Sequence, residues 1–366
     1  MMLKVGIVGL PNVGKSSLFN ALTAAGAASA NYPFCTVEPN VGTVEVPDDR
    51  LDDIHRLIGS QARMPTFIQF VDIAGLVKGA SEGEGLGNQF LGQIREVDAI
   101  AHVLRCFDNP DVTHVLGDID PVRDREIVDI ELTLADLGTV ERRLERVTKK
   151  ARSGEKEAAR EVAVLQKLQA GLSEGKVIRS LKLSPEEWEL VRSFHLLTSK
   201  PVLYVANVSE SDLPSGENAL TARVRESLAG EENARVVTVC SAIEAELSEL
   251  DPEAKGEFLT ELGLEETGLR RMIRAAYELL GLLTFFTAGE KESRAWTVRQ
   301  GAHASEAAGT IHSDFERGFI RAETVGYEEF RHIGSLKLAR EQGRIRSEGK
   351  EYAVQDGDIM LFRFNV

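Results

Sequence analysis

The chain has 366 residues, of which 43% are hydrophobic, and its net charge is −15. This length is enough for two or three domains with a sizeable core. No apolar run is long enough to cross a bilayer, so we expect no membrane partner. The sparse, odd set of three cysteines shows no metal-type pairing and is typical of a reducing compartment. These features argue against a membrane or secreted protein and predict a cytoplasmic one.

The first predicted elements flank a phosphate-binding loop. Residues 3–8 form a short apolar run suited to a buried parallel strand, and residues 17–22 predict the first helix. Between them, residues 9–16 read Gly-Leu-Pro-Asn-Val-Gly-Lys-Ser, in which backbone N–H groups at a helix N-terminus bind phosphates. In such a loop Lys15 reaches the β- and γ-phosphates and the Ser16 hydroxyl ligates Mg²⁺. The predicted nucleotide-binding residues here are Asn12, Val13, Gly14, Lys15, Ser16 and Ser17.

Short apolar strands continue to alternate with helical patterns along the chain. Further strands are predicted at residues 41–46, 67–71, 99–107, 202–206 and 236–239. This rhythm predicts an α/β fold with a mostly parallel sheet and helices on both faces. Ligands of such sheets bind beyond the carboxyl ends of the strands, where the phosphate loop, Asp72, Asn207 and Ser241 all fall.

Two further segments predict the metal site. Asp72 follows the third strand, where its carboxylate can hold Mg²⁺ through water while the Gly75 N–H meets the γ-phosphate. Thr36 lies in a polar connection that can bring a hydroxyl to Mg²⁺ and register the γ-phosphate. An aspartate after a strand is more often a cap or turn residue, and the phosphate loop is what favours the metal role.

The segment after the fifth strand predicts which base the site binds. GTP-binding relatives carry Asn-Lys-x-Asp there, whereas this chain reads Asn207-Val208-Ser209-Glu210. Glutamate is one methylene longer, which spoils the paired fit to guanine, while an Asn side chain can pair with adenine through two hydrogen bonds. A site with the wrong donor pattern leaves buried polar groups unpaired and discriminates strongly. We therefore predict ATP over GTP, with Asn207 and the Val208 backbone near the base.

The strand–helix rhythm breaks twice. Between residues 121 and 195, apolar residues recur at three- and four-residue steps on both sides of Ser153-Gly154. This pattern predicts an antiparallel α-helical hairpin inserted into the sheet domain. From residue 283 the chain predicts a small α+β domain that ends in a half-buried strand. The predicted domains are 1–120 with 196–282, then 121–195 as the insertion, and 283–366.

Charge is spread unevenly over these domains. The two added segments are nearly neutral, so the negative charge falls on the nucleotide-binding domain, which argues against that domain coating nucleic acid. We expect no DNA partner. Around the hairpin tip lie Arg142, Arg143, Arg146, Lys149, Lys150, Arg152, Lys156 and Arg160, diluted by acidic neighbours. Both an ordinary solvated helix surface and an RNA contact fit this pattern.

Taken together, the motifs resemble the Obg-like ATPase (YchF) family, a branch of the translation-factor-related GTPases, over essentially the whole chain. The similar segments are the phosphate loop, residues 31–40 (Asn-Tyr-Pro-Phe-Cys-Thr-Val-Glu-Pro-Asn), Asp72 to Leu76, Asn207 to Glu210, and the C-terminal segment from Phe315 to Val366. The resemblance implies a P-loop G domain with a helical insertion and a C-terminal TGS domain, which has a ubiquitin-like β-grasp fold. It also implies ATP hydrolysis, a Mg²⁺ cofactor, and association with ribosomes or ribosomal RNA.

The resemblance also bears on catalysis. Many relatives place a glutamine at Leu76 to orient the attacking water, and leucine cannot form that hydrogen bond. The family suggests His114, just past the fourth strand, as the water-orienting residue, with Lys15 as the other catalytic group. A lone loop histidine is more often a surface residue, so both interpretations of His114 stay open. Asn12 either shapes the phosphate loop or, as in some related GTPases, binds K⁺ beside the phosphates.

The leading interpretation is a Mg²⁺-dependent ATPase that changes conformation with its nucleotide. It would signal that state to ribosomes or another RNA-containing partner and regulate translation or a stress response. Two alternatives stay open: a GTPase with relaxed base specificity, and a binding protein that uses ATP as a structural ligand without hydrolysis. A pure nucleic-acid-binding module fits less well, because the acidic domain carries the best-defined site.

Overall fold

The computed structural model describes residues 3–26, 39–73, 86–231 and 234–365. The strands are β1 (Lys4–Val8), β2 (Val41–Glu45), β3 (Ala62–Met64), β4 (Phe67–Asp72), β5 (Ala99–Arg105), β6 (Val202–Asn207), β7 (Arg235–Val239), β8 (Leu282–Ala288), β9 (Glu292–Arg299), β10 (Phe319–Gly326), β11 (Arg346–Glu348) and β12 (Asp358–Phe364). The helices are α1 (Lys15–Gly26), α2 (Asp49–Ile58), α3 (Leu86–Glu96), α4 (Pro121–Ala151), α5 (Lys156–Ser173), α6 (Pro185–Arg192), α7 (Ala219–Ser227), α8 (Ser241–Glu249), α9 (Pro252–Glu261), α10 (Gly268–Leu279), α11 (Ala304–Ile311), α12 (Ser313–Arg317), α13 (Tyr327–Ile333) and α14 (Leu336–Glu341).

The first sheet has the order β2-β4-β1-β5-β6-β7. Its strands from β4 to β7 pair in parallel, and the central strands β5 and β6 are buried along their whole length. Strands buried along their whole length are typical of a parallel sheet covered on both faces. The predicted fold class, an α/β P-loop domain with a mostly parallel sheet, is confirmed.

The predicted α-helical hairpin is formed by α4 and α5. Asp120 caps α4 by accepting hydrogen bonds from the N–H groups of residues 122 and 123, and Pro121 fits the first helical position. Gly154 takes a positive φ of 92° in the turn between the helices, a conformation that suits glycine. The two helices share an apolar core that includes Val140, Val147, Leu165 and Leu168, which is what holds them together.

The second sheet has the order β11-β10-β12-β8-β9-β3. Within it, β8 and β9 form an antiparallel hairpin, and the final strand β12 pairs in parallel with β8 and antiparallel to β10. Helix α11 packs its alanines into a core with Phe285, Phe319 and Phe362. A final strand parallel to the first, with a helix over the sheet, is the β-grasp arrangement that the resemblance implied.

The described chain divides into two compact units: residues up to Val44 with Gln69–Ala276, and Glu45–Ile68 with the residues from Tyr277 onward. This division corrects the assignment of residues 45–68 to the nucleotide-binding domain. Helix α2 buries Leu51 and Ile54 in one core with Phe286 and Phe330, and β3 pairs in parallel with β9. The helical insertion groups with the first unit.

Among the residues that the structure describes, no helix combines the length and apolar character that a membrane crossing requires.

Candidate nucleotide-binding site

The phosphate loop joins β1 to α1 at the carboxyl edge of the first sheet. Two of its residues take positive φ angles, Asn12 at 63° and Gly14 at 93°. The first hydrogen bond of the helix runs from Leu18 N to Gly14 O, so the N–H groups of the preceding turn have no helical acceptor. Ser16 and Ser17 lie in that turn and are exposed. The loop thus has the backbone geometry of an anion-binding helix N-terminus.

Lys15 and Asp72 meet at this edge. Lys15 Nζ lies 2.8 Å from Asp72 Oδ1, and the two side chains are 11% and 22% exposed. The register of β1 against β4, which pairs Ile7 with Asp72, brings the aspartate beside the phosphate loop. The structure therefore gathers the predicted phosphate ligand and the predicted metal-supporting carboxylate in one place.

The donor set at this edge fits Mg²⁺. The Ser16 hydroxyl and the Asp72 carboxylate are hard oxygen ligands, and Mg²⁺ commonly takes one or two of these together with water and substrate phosphates. Lys15, bonded to Asp72, would supply positive charge to the phosphates. Two other predicted site residues, Thr36 and Gly75, lie outside the described residues.

Asn207 connects three segments of the site through its side chain. Its Nδ2 donates to Val13 O at 2.8 Å and to Ser241 Oγ at 3.0 Å, and its Oδ1 accepts from Ser241 N at 3.0 Å. The side chain is buried, and both amide hydrogens are used. In this geometry Asn207 cannot form the paired hydrogen bonds to adenine that the sequence analysis predicted. It instead fixes the phosphate loop to the N-terminus of α8.

Gly14 is fitted to this junction. A Cβ atom at Gly14 would lie 2.1 Å from Asn207 Nδ2 and 2.9 Å from Ser241 Oγ. Sequence reasoning missed the contact, because Asn207 and Val13 are 194 residues apart and no spacing rule relates them. Their common location beyond the strand ends was the one available signal.

The loop after β6 is held by an aspartate that sequence reasoning also missed. Asp212 Oδ2 accepts hydrogen bonds from Ser209 N, Ser209 Oγ and Asn218 Nδ2. Partial burial acts to raise the pKa of Asp212, but these hydrogen bonds outweigh it and hold the pKa below its ordinary value. Val208 N donates to Val239 O, and Glu210 is exposed at the start of a short 3₁₀ turn.

His114 is placed differently from a surface histidine. Its ring is fully buried, with Nε2 2.8 Å from Asp124 Oδ2, and its Nδ1 accepts from Leu116 N at 3.2 Å. The adjacent Thr113 carbonyl accepts a hydrogen bond from Asn12 Nδ2 at 3.0 Å. The loop is therefore next to the phosphate loop, but in this geometry both ring nitrogens are engaged and cannot orient a water.

The basic residues of the hairpin tip divide into two groups. Arg143 pairs with Glu161 at 2.5 Å and stacks over Phe194 at 4.1 Å, so it has a structural role. The exposed members are Arg142, Arg146, Lys149, Lys150, Arg152, Lys156 and Arg160. This exposed group presents positive charge to solvent on an otherwise acidic protein.

A phosphate loop beside a Lys–Asp pair at the edge of a parallel sheet defines a P-loop nucleoside triphosphatase of the GTPase type. The family of 50S ribosome-binding GTPases matches residues 4–136, and YchF-GTPase_C, described as a protein of unknown function (DUF933), matches residues 282–365.

Relatives that match over their full length identify the family within this class. The ribosome-binding ATPase YchF of Bacillus subtilis is 57% identical, and those of Haemophilus influenzae and Escherichia coli O157:H7 are 55% and 54% identical, each over the whole of both chains. The solved structure of the Schizosaccharomyces pombe YchF GTPase superposes with a TM-score of 0.89 at 38% identity, covering 99% of this chain and 97% of that one. The chain belongs to the YchF family. The predicted family and enzyme class, a P-loop NTP hydrolase, are confirmed.

Proposed function

We propose that this chain binds ATP in preference to GTP, hydrolyses it with Mg²⁺, and uses the bound nucleotide to control its association with ribosomes in the cytoplasm. The loop after β6 carries the base preference. A guanine-specific site needs a fixed carboxylate at its edge. The Asp212 carboxylate holds its own loop through Oδ2, and Glu210, which takes the place of the guanine-reading aspartate, is exposed. This arrangement supports a site without that fixed carboxylate, in which adenine, whose N1 carries no proton, is not repelled.

The phosphates and the metal occupy the edge formed by the phosphate loop. Lys15 and the N–H groups of the first turn of α1 bind the phosphates, and Ser16 ligates Mg²⁺. Asp72 supports the ion through water, and Thr36 and the Gly75 N–H complete the contacts around the γ-phosphate. The Oδ1 atom of Asn12 is an amide oxygen suited to K⁺, since its Nδ2 already donates to Thr113.

The proposed partner is the ribosome. Its binding would differ between the ATP and ADP states of the protein, and this difference would regulate translation or a stress response. The full-length relatives are named ribosome-binding ATPases. The exposed cations of the hairpin tip suit the phosphate backbone of ribosomal RNA, and contacts of this kind weaken steeply as salt rises.

Two experiments test this function. Calorimetric titration with MgATP and MgGTP should give tighter binding of ATP, and tighter binding of GTP would refute the base preference. Co-sedimentation with purified ribosomes should depend on whether ATP or ADP is added. A variant with Arg142, Arg146 and Lys150 changed to Ala should lose ribosome binding while it keeps ATP affinity. If this variant sediments with ribosomes as well as wild type does, the hairpin tip is not part of the interface.

The engaged ring of His114 and the leucine at position 76 indicate slow hydrolysis by the protein alone, because neither side chain is then available to orient water. Phosphate release at background level both with and without ribosomes would contradict the proposed hydrolysis.

A further inference from the structure

The His114 loop, residues 106–120 between β5 and α4, buries a polar ring and exposes apolar side chains. The His114 ring is fully buried, whereas Val115 and Leu116 are 48% and 44% exposed. This is the reverse of the usual pattern, in which apolar side chains are buried and polar ones are exposed. A specific interaction must therefore hold the ring inward.

Asp124, in the first turn of α4, supplies that interaction. Its Oδ2 lies 2.8 Å from His114 Nε2, and both side chains are almost fully buried. Because His114 Nδ1 accepts from the Leu116 N–H, the ring proton is on Nε2 and is donated to the carboxylate. Arg123 bonds the other oxygen of Asp124, so the carboxylate is fixed from two sides.

The same loop is connected to both functional parts of the first unit. At one end, Asn12 of the phosphate loop donates to Thr113 O, the residue next to His114. At the other end, Asp124 belongs to α4, which continues to Ala151 as one arm of the hairpin. A displacement of α4 would move the carboxylate that holds His114, while the Asn12 contact keeps the neighbouring backbone beside the phosphates.

We propose that Asp124 is a positioning residue that keeps His114 away from the nucleotide and releases it when a partner bound to the hairpin shifts α4. Release breaks the hydrogen bond from Nε2–H to Asp124 and leaves the imidazole able to contact the water beside the γ-phosphate. This inference rests on the proposed function, since only a hydrolase has a use for the released ring. It makes hydrolysis conditional on the partner.

The first test measures access to the ring without using activity. The full chain is labelled with diethylpyrocarbonate, and each histidine is followed by mass spectrometry, with buried His102 and the 60% exposed His312 as internal references. Asp124→Ala should label His114 about tenfold faster than wild type, because a hydrogen bond to a charged group is lost. Asp124→Asn should stay close to wild type, since its side-chain oxygen still accepts from Nε2–H, and its amide nitrogen replaces only the oxygen bonded to Arg123, whose 31% exposed side chain can turn to solvent. Arg123→Gln is the matched control that leaves the His114 contact intact.

These outcomes are decisive in both directions. Protection of His102 in every variant shows that the fold is retained, and rescue by asparagine separates positioning from a general loss of packing. In wild type, ¹⁵N spectra should show His114 as the neutral Nε2–H tautomer. Wild-type His114 that labels as fast as His312, or labelling unchanged in Asp124→Ala while His102 stays protected, would overturn the proposal.

The second test measures turnover of ATP with and without purified ribosomes. Asp124→Ala should raise the basal rate several-fold and reduce the stimulation by ribosomes, whereas Asp124→Asn should behave as wild type. A lower basal rate in Asp124→Ala would mean that Asp124 supports the active ring, which contradicts the proposal. If no variant hydrolyses ATP, the proposed function fails, and the labelling result still decides whether Asp124 holds His114.

Discussion

Replacing Asn207 with Ala tests whether this side chain reads the base or holds the site together. The change removes three hydrogen bonds and leaves Val13 O and Ser241 N buried without that partner. Each of these two buried groups left unsatisfied costs about 1–3 kcal/mol, so the free energy of unfolding should fall by about 2–6 kcal/mol. The phosphate loop should also lose its fixed position relative to α8.

The assay is calorimetric titration of the variant with MgATP, MgGTP and inorganic triphosphate. Because the lost bonds support the phosphate loop, affinity for all three should fall by the same factor, about tenfold or more. Gln69→Ala is the matched control: it removes another buried amide of the same sheet, bonded to Thr43, and should leave nucleotide affinity unchanged. A loss confined to ATP, with GTP and triphosphate unaffected, would refute the reasoning and restore base pairing by Asn207.

Three further changes probe the loop, the metal and the second unit. Gly14→Ala should weaken titrated binding of nucleotide at least tenfold, because its Cβ would lie 2.1 Å from Asn207 Nδ2 and its φ of 93° costs about 1–2 kcal/mol; wild-type affinity would contradict this. Asp72→Asn should raise the Mg²⁺ concentration needed for half-maximal ATP hydrolysis about tenfold, and an unchanged requirement would exclude Asp72 from the metal site. Hydrogen bonds from Arg363 chiefly, and from Arg340, lower the pKa of Glu323 to about 2 from 4.5, so its stabilising effect is present above pH 4.5 and lost as the pH falls toward 2. The melting temperature of Glu323→Gln should therefore fall less than that of wild type between pH 4.5 and pH 2. Equal falls in the two proteins would refute this role of Glu323.

Local sequence patterns were sufficient for most of the first unit. Strands β1, β5 and β6 consist mostly of apolar residues, and the hairpin shows helical spacing, so each element could be predicted from its own residues. The placement of α2 and β3 could not be predicted in this way. Strand β3 pairs with β9, which begins more than two hundred residues later in the chain. Only a long-range pairing distinguishes that arrangement from continuation of the first sheet.

The sequence predicted where the residues of the candidate site lie, but not the direction in which their side chains point. Strand order placed Asn207 and Ser241 at the same edge as the phosphate loop, yet the pattern did not show that the amide turns inward to Val13. His114 is similar: its neighbours in sequence suggested a loop, while its burial depends on Asp124 in the following helix. Hydrogen-bond partners are set by tertiary packing, and a motif does not specify them.

The most direct test of ATP-specific hydrolysis is phosphate release at equal concentrations of ATP and GTP with Mg²⁺, for wild type and Lys15→Ala, in the presence of ribosomes. Wild type should release phosphate faster from ATP than from GTP, and Lys15→Ala should release it at background level. Equal or faster release from GTP, or a rate that does not depend on Lys15, would contradict ATP-specific hydrolysis at this site.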